Sequence, residues 1–390
     1  MPNRQYSAGD KHHNISTHQQ TSNTTTSWRC TRHSQRLHVS QTINNREPIS
    51  NTDTIPTSRS TRPNMTNPTA SQTNESAAHQ ADTDDSGLLG AADIRRIAAE
   101  AGVTPTKKFG QNFVIDPGTV RRIARTAEIG DGDQVMEVGP GLGSLTLALL
   151  ETGAHVTAVE IDPPLAERIP KTVAERMPNA AERFRVINKD ALKVTPDDTP
   201  QLASAESFTL VANLPYNVAT PIIITLLERY PNLNSFVVMV QKEVADRLTA
   251  QPGSKIYGTP TAKLHWFGTS ERAGIIGRNV FWPAPNVDSA LVKFTRTHTD
   301  RTEADIDARQ RTFALVDAAF TQRRKTLNAA LKKIMPKEAF ALANIDPTLR
   351  GETLTIDRFA ALADAAARIE AGDTDGTDSV NGTDTTGKEA

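Results

Sequence analysis

The sequence predicts an α/β fold, a parallel doubly wound sheet with a small C-terminal α-helical domain, flanked by polar tails. Three observations lead there. Between residues 134 and 250, short apolar runs alternate with helix-like stretches, as in strands joined by crossover helices. A turn with three glycines follows the first of these strands. From 303 to 367 the pattern is helical throughout.

The elements follow in order. Helices are expected over 93–101 and 117–127. A strand at 134–138 leads into GPGLGS and a helix over 145–151. Further strands are expected at 155–161, 184–187 and 208–212, then a helix over 220–229, a strand over 235–240 and a helix over 243–250. The segment 287–294 alternates apolar and polar residues and reads as a late antiparallel strand. Residues 1–86 are rich in Ser, Thr, Asn and Gln without periodicity. They carry too little apolar surface to offset ordering entropy, so disorder is expected. Arg and Ser with few acids before residue 80 suit a transit peptide, but the amphipathic apolar face is missing. A start at Met65 is the other reading of this extension. The acidic tail 371–390 is expected to be disordered as well. The implied division is 1–86, 87–298 (the sheet domain), 299–370 (the helical domain) and 371–390.

Composition narrows the function. No run of 18 apolar residues exists, so no membrane span is expected. The single cysteine, Cys30, excludes disulfides within the chain and cysteine-built metal sites. Six of nine histidines lie in the first 80 residues, and His155, His265 and His298 are scattered, so no metal site is expected. The net charge of −1 divides into +1 for 1–86, +2 for 87–370 and −4 for the tail. That is a weak signal for nucleic acid, so local clusters must carry the case.

The stretch VMEVGPGLGSLT (135–146) puts Gly139, Gly141 and Gly143 between strand and helix. Glycines there permit a tight turn and close backbone approach to a ligand. Glu160 ends the next strand, 21 residues after Gly139, where an acid accepts hydrogen bonds from a ribose diol. Both fit a nucleoside-containing cofactor, and the G-x-G-x-G spacing favours S-adenosylmethionine over a dinucleotide. A plain βα turn and a solvated strand end explain the same residues one at a time. Asp190 ends the third strand and suits either an adenine amino group or an N-cap.

The fourth strand ends in Asn213-Leu214-Pro215-Tyr216, which holds no nucleophile and no charged acid or base. With a sulfonium methyl donor bound nearby and an adenine amine as acceptor, that inertness makes sense. The amine needs orientation by two hydrogen-bond acceptors, which also stabilise its developing positive charge. The Asn213 side-chain oxygen and the Leu214 carbonyl are the candidates. Pro215 keeps Leu214 extended and directs its carbonyl. Tyr216 offers a stacking face worth about 1–3 kcal/mol per base. The competing reading is an ordinary strand-end turn with Tyr216 in the core.

Eight segments together resemble the ribosomal RNA adenine N6-dimethyltransferase family, in particular the bacterial small-subunit (16S) enzymes. They are KKFGQNFVID (107–116), VMEVGPGLGSLT (135–146), VTAVEID (156–162), KDAL (189–192), NLPYNVATPI (213–222), VMVQKEVADRL (238–248), FWPAPNVDSALV (281–292) and FTQRRKTLNAAL (320–331). The resemblance spans about 87–370, in family order and spacing. It implies a class I S-adenosylmethionine-dependent methyltransferase fold, Rossmann-like, that uses no metal. It implies cofactor contacts at Asn112, Val114, Gly139, Gly141, Glu160, Asp190 and Asn213. It places the target adenine at Asn213–Tyr216, with Phe281 as a second aromatic wall for a flipped base; Trp282 is ambiguous. Val114 stands where the family usually has Leu, and Lys189 and Ala212 where it usually has glycines. The segment 257–268 lacks the usual Arg-Leu-Ser run.

Gln322-Arg323-Arg324-Lys325 is expected to open a basic helix running to Lys332-Lys333, with Arg324 and Asn328 on one face. Arg323, Arg324 and Lys325 there suit RNA phosphates, or simply a solvated face. Lys107-Lys108 and Arg121-Arg122 add basic groups beside the cofactor side. The resemblance implies dimethylation of two adjacent adenosines near the 3′ end of small-subunit rRNA. The expected setting is a pre-ribosomal particle in the cytoplasm, with a monomeric enzyme and no membrane contact. The alternatives are a large-subunit (23S) adenine dimethyltransferase of the antibiotic-resistance type, or a mainly non-catalytic ribosome assembly factor.

Overall fold

The computed structural model describes residues 87–105, 110–216, 218–298 and 306–372. The expectations for 1–86, for Lys107-Lys108 and for the tail beyond 372 lie outside them, as do residues 299–305 beside the expected domain boundary. The chain runs α1 (Ala91–Glu100), β1 (Phe113–Val114), α2 (Pro117–Thr126), β2 (Gln134–Val138), α3 (Ser144–Glu151), β3 (His155–Glu160), α4 (Pro163–Arg176) and β4 (Phe184–Asn188). Then come α5 (Pro200–Ser204), β5 (Phe208–Asn213), α6 (Ala219–Arg229), β6 (Leu233–Gln241), α7 (Lys242–Leu248) and α8 (Thr259–His265). They are followed by β7 (Gly268–Ile276), β8 (Phe281–Trp282), β9 (Ser289–Arg296), α9 (Ile306–Thr321), α10 (Leu327–Leu331), α11 (Ala339–Leu342) and α12 (Ile356–Glu370).

Seven strands form one sheet in the order β4-β3-β2-β5-β6-β9-β7. The first five are parallel, and β9 runs against both of its neighbours. This is the expected doubly wound sheet. Local chemistry explains its helices. At α2 the Asp116 carboxylate accepts the Thr119 N–H at 2.7 Å, and Pro117 fills the first helical position, where an N–H would lack a partner. Helix α3 reads SLTLALLE, and all residues but the last are buried, as a helix apolar on every side must be.

Two sizeable elements escape the sequence pattern. Helix α4 carries Pro163 and Pro164 at its start and Pro170 inside, and prolines read as helix breakers. Its apolar face, with Leu165, Ile169 and Val173, nevertheless packs into the core. Strand β7 is polar and interrupted at Gly274, where the register against β9 shifts. Polar residues suit the edge of a sheet, where one side stays wet. The short β1–β8 ribbon, too brief to show a period, joins Phe113 to Trp282 and Val114 to Phe281.

The C-terminal segment corrects an expectation. No single basic helix spans 322–333. Helix α9 ends at Thr321, a turn follows, and α10 starts anew at Leu327. Thr326 is extended (ψ 157°) and its side chain accepts the Ala329 N–H, so it caps a new helix rather than continuing the old one. Around this turn the helices pack against the sheet through one continuous apolar cluster. Phe313 lies edge-on to Trp266 and Phe267 at 6.0 and 6.3 Å. The Tyr257 hydroxyl donates to the Leu354 carbonyl at 3.1 Å.

Candidate active site

A cavity opens at the carboxyl ends of β2, β3 and β5. From β2 the chain winds outward through β3 and β4, then crosses back to set β5 on the other side of β2. Open α/β sheets bind ligands at such a reversal. Asn112, Val114, Gly139, Gly141, Glu160, Asp190, Asn213, Leu214, Pro215 and Tyr216 all line this one cavity. Segments separated by a hundred residues therefore converge there.

The glycine loop has the backbone that its sequence requires. Gly139, Gly141 and Gly143 have φ of 72°, 58° and 101°, the left-handed region that side chains disfavour. A Cβ on Gly141 would meet the Phe113 ring at 2.9 Å. One on Gly139 would have a single neighbour within 4 Å, the Asn213 carbonyl oxygen at 3.9 Å, and would otherwise project into open space. The bare backbone at Gly139 thus leaves room for a ligand.

Glu160 is 4 % exposed. Its two oxygens accept the Gly141 N–H at 3.1 Å and the Asp162 N–H at 3.0 Å. Burial pushes its pKa up, while those backbone donors oppose the shift. A carboxylate has about four acceptor positions, so hydroxyl donors can still be received. Asp190 is an N-cap that also borders the cavity. Its Oδ1 accepts the Leu192 N–H at 3.0 Å as an N-cap, and the residue lines the cavity.

At the end of β5, one side-chain polar atom of Asn213 is held and the other is left open. Its Nδ2 donates to the Asn112 carbonyl at 3.0 Å. A carbonyl only accepts, so the amide orientation is fixed and Oδ1 is left as an acceptor. The Leu214 N–H donates to the Met239 carbonyl at 3.1 Å. The Val218 N–H closes the turn onto the Pro215 carbonyl at 3.2 Å. Tyr216 is half-buried, and its hydroxyl lies 2.9 Å from Ser289 Oγ. Burial raises the pKa of this phenol.

Phe281 does not join the cavity as expected. It is 3 % exposed within an apolar cluster that also holds Phe113 and Val114, and it is not among the cavity walls. Strand pairing with Val114 holds it in that layer. Trp282 is half-buried and stacks on Phe113, with ring centres 6.2 Å apart.

The basic run divides. Arg323 donates to the carbonyls of Tyr257 at 2.8 Å and Lys255 at 2.7 Å, and pairs with Glu352 at 2.8 Å. Its guanidinium therefore clasps the 254–257 loop to the helical segment, which corrects the expectation that it faces RNA. Arg324 and Lys325 are exposed and make no ion pair with a described residue. Arg121 is paired with Glu151 at 2.9 Å, and Arg122 reaches the Ile275 carbonyl at 3.3 Å.

Two residues in and beside the cavity were not singled out from the sequence. Glu137 lies in the cavity wall, 1 % exposed, and accepts the Thr146 hydroxyl at 2.6 Å. Burial pushes its pKa up to about 8. An acid inside the apolar run VMEV was the available signal. Ser289, which holds Tyr216, gave none.

Comparison with known proteins agrees with this geometry. The family model "Ribosomal RNA adenine dimethylase" matches residues 103–368. A Bifidobacterium adolescentis protein named Ribosomal RNA small subunit methyltransferase A is 69% identical over 288 residues, 72% of this chain and 95% of that protein. One of the same name from Streptomyces griseus is 55% identical, covering 72% and 96%. Among solved structures, a dimethyladenosine transferase from Plasmodium falciparum aligns with TM-score 0.52 and 25% identity, over 64% of this chain and 95% of that one. The 23S rRNA methyltransferase ErmE aligns with TM-score 0.50 and 27% identity, over 66% and 100%. With its glycine turn, its buried Glu160 carboxylate and its fixed asparagine amide, the chain belongs to the ribosomal RNA adenine dimethylase family of S-adenosylmethionine-dependent class I methyltransferases.

Proposed function

We propose that the protein methylates N6 of two adjacent adenosines near the 3′ end of small-subunit rRNA, two methyls on each. Its substrate on this reading is a pre-ribosomal particle, and it acts as a cytoplasmic monomer. The observation that carries the chemistry is the Asn213 amide, whose Nδ2 is held by the Asn112 carbonyl so that Oδ1 remains an acceptor.

The cavity residues suit S-adenosylmethionine. Gly139 leaves backbone room, Gly141 lets the loop close against Phe113, and we place Glu160 at the ribose hydroxyls and Asp190 at the adenine edge. Asn112, just before β1, and Val114 within it line the same space. When bound, S-adenosylmethionine supplies a methyl group on a cationic sulfur. Asn213 Oδ1 and the Leu214 carbonyl receive the two N–H donors of the target amine and aim its lone pair. They also stabilise the positive charge that grows on that nitrogen. The proton is strongly acidic after transfer and leaves to solvent, so no ionised side chain has to remove it. Tyr216 stacks the base. Arg324 and Lys325 supply phosphate contacts, which position the RNA without reading its sequence.

The choice of small-subunit rRNA is supported by the names of the relatives at 69% and 55% identity. A large-subunit target is the second reading, favoured by the likeness to the 23S rRNA methyltransferase ErmE at 27% identity. Transfer of labelled methyls to undermethylated small and large subunits, followed by mapping of the label, tests both. Asn213→Ala should lower the rate by about 10²-fold, the scale for losing one transition-state hydrogen-bond partner. Undiminished transfer would remove Asn213 from the chemistry. Label mapping to large-subunit rRNA would favour the second reading.

A further inference from the structure

We propose that Ser289 is a positioning residue for the target base, acting through the Tyr216 hydroxyl to set the plane of the ring on which adenine stacks. The inference rests on the reading above that Tyr216 provides the stacking face. Ser289 is fully buried and opens β9. Its backbone is in register with Gln241 of β6 on one side and Ile276 of β7 on the other. A residue gripped from both sides of a sheet is among the most rigid points available.

Tyr216 is the opposite case. It sits in the turn after β5, and among the described residues its one hydrogen bond is the 2.9 Å contact with Ser289. The backbone end of the side chain is set by the Pro215 turn, which the Val218 N–H closes. The hydroxyl end is set by Ser289. A tyrosine has only two side-chain torsions, so fixing both ends fixes the tilt of the ring. Without the serine hydroxyl, the half-buried phenol loses its partner and the ring is free to tilt. Ser289 is outside the cofactor cavity and reaches it only through the Tyr216 ring, so the loss is expected in base orientation first.

The test uses the full chain, labelled S-adenosylmethionine and undermethylated small subunits. The variants are Ser289→Ala, Tyr216→Phe, the two combined, and Tyr216→Ala. Each of the first two removes the same hydrogen bond from a different end. Each should lower kcat by roughly tenfold, since small misplacements of a reacting group cost rate steeply. The KM for the cofactor should stay within about twofold, and the double variant should be no slower than either single one, as expected of one shared interaction. The proposal is overturned if Ser289→Ala or Tyr216→Phe keeps the wild-type kcat, if their losses multiply, or if cofactor KM carries the loss. Tyr216→Ala separates the two layers. If it transfers methyls normally, the stacking reading falls and the anchor with it. If it is impaired while Ser289→Ala and Tyr216→Phe are not, stacking stands and only the anchor falls.

Discussion

The end of β5 and the turn after α9 make an instructive pair. Asn213–Tyr216 contains nothing reactive, whereas Arg323-Arg324-Lys325 is as plainly charged as any stretch of the chain. In the structure the inert residues hold fixed, convergent positions: Asn213 Nδ2 is bonded, Leu214 N–H is bonded, and Tyr216 is anchored. The charged ones split, with Arg323 turned inward as a clasp and its two neighbours left in solvent. Residue type alone says little about which of the two regions is tied down. What distinguishes them is where the backbone puts partners.

The Asn213→Ala experiment probes the first region and carries the largest expected effect, about 10²-fold in rate. The second region is probed by comparing Arg323→Ala with Arg324→Ala. Removing Arg323 strands the Tyr257 and Lys255 carbonyls and the Glu352 carboxylate. It should destabilise the fold by about 1–3 kcal/mol, read as a lower Tm. Because Arg323 is engaged within the protein, the salt dependence of RNA binding should keep its slope. Arg324→Ala should do the reverse, leaving Tm in place and reducing the slope of log K against log salt by about 1. Equal loss of slope in both variants would return Arg323 to the RNA surface.

The same contrast explains what was legible in advance. The sheet and the cofactor loop were readable because buried strands and glycine turns impose local constraints that show in local sequence. The parallel strands 134–138, 155–160, 184–188 and 208–213 are observed within a residue of their expected limits. Helix α4 was not readable because its prolines speak for a loop while its tertiary face speaks for a helix. Strand β7 was hidden by its edge position. The break at Thr326 was hidden because a capping threonine differs from a mid-helix threonine only in its backbone angles. In the site, the residues of one motif were readable together, but links across motifs were not. The Ser289–Tyr216 contact joins residues 73 apart, and nothing local marks it. Phe281 shows the limit of resemblance, since its ring lies in the apolar layer and not on the cavity wall.

Glu137 sharpens the comparison from a third side, as an acid of ordinary type kept neutral by its surroundings. Burial raises its folded pKa to about 8 from an ordinary 4.5. A raised folded pKa means that the group's contribution to stability is complete below about pH 4.5 and is lost as pH rises through about 8. Over that window the wild-type Tm should therefore fall. Glu137→Gln keeps an acceptor for the Thr146 hydroxyl and cannot ionise, so its Tm should fall less between pH 5 and 9. The difference should amount to several degrees. Parallel curves for the two proteins would show that Glu137 is already ionised in the fold.

Lys189 is expected to matter least, although it stands in the cavity wall beside Asp190. Its ammonium turns to Asp198, with oxygens at 2.7 and 2.6 Å, and that contact leads the causes that hold the Asp198 pKa down at about 2. The side chains are 35% and 24% exposed, so solvent screens the pair. The wall it borders also has other supports. Asp190 caps the Leu192 N–H, and Arg229 donates to the Val194 carbonyl at 2.6 Å. Lys189→Met should therefore change the cofactor Kd by less than about twofold at neutral pH, as expected for a surface ion pair. A depressed carboxylate pKa contributes stability above the unfolded value near 4 and loses it as pH falls through about 2, so any difference between Lys189→Met and wild type should fade only in strong acid. A tenfold loss of cofactor affinity at neutral pH would mean that the ion pair, and not the backbone bonds, holds the Asp190 side of the cavity. It would also mean that a charge can organise this cavity from its rim, as Asn213 does from within.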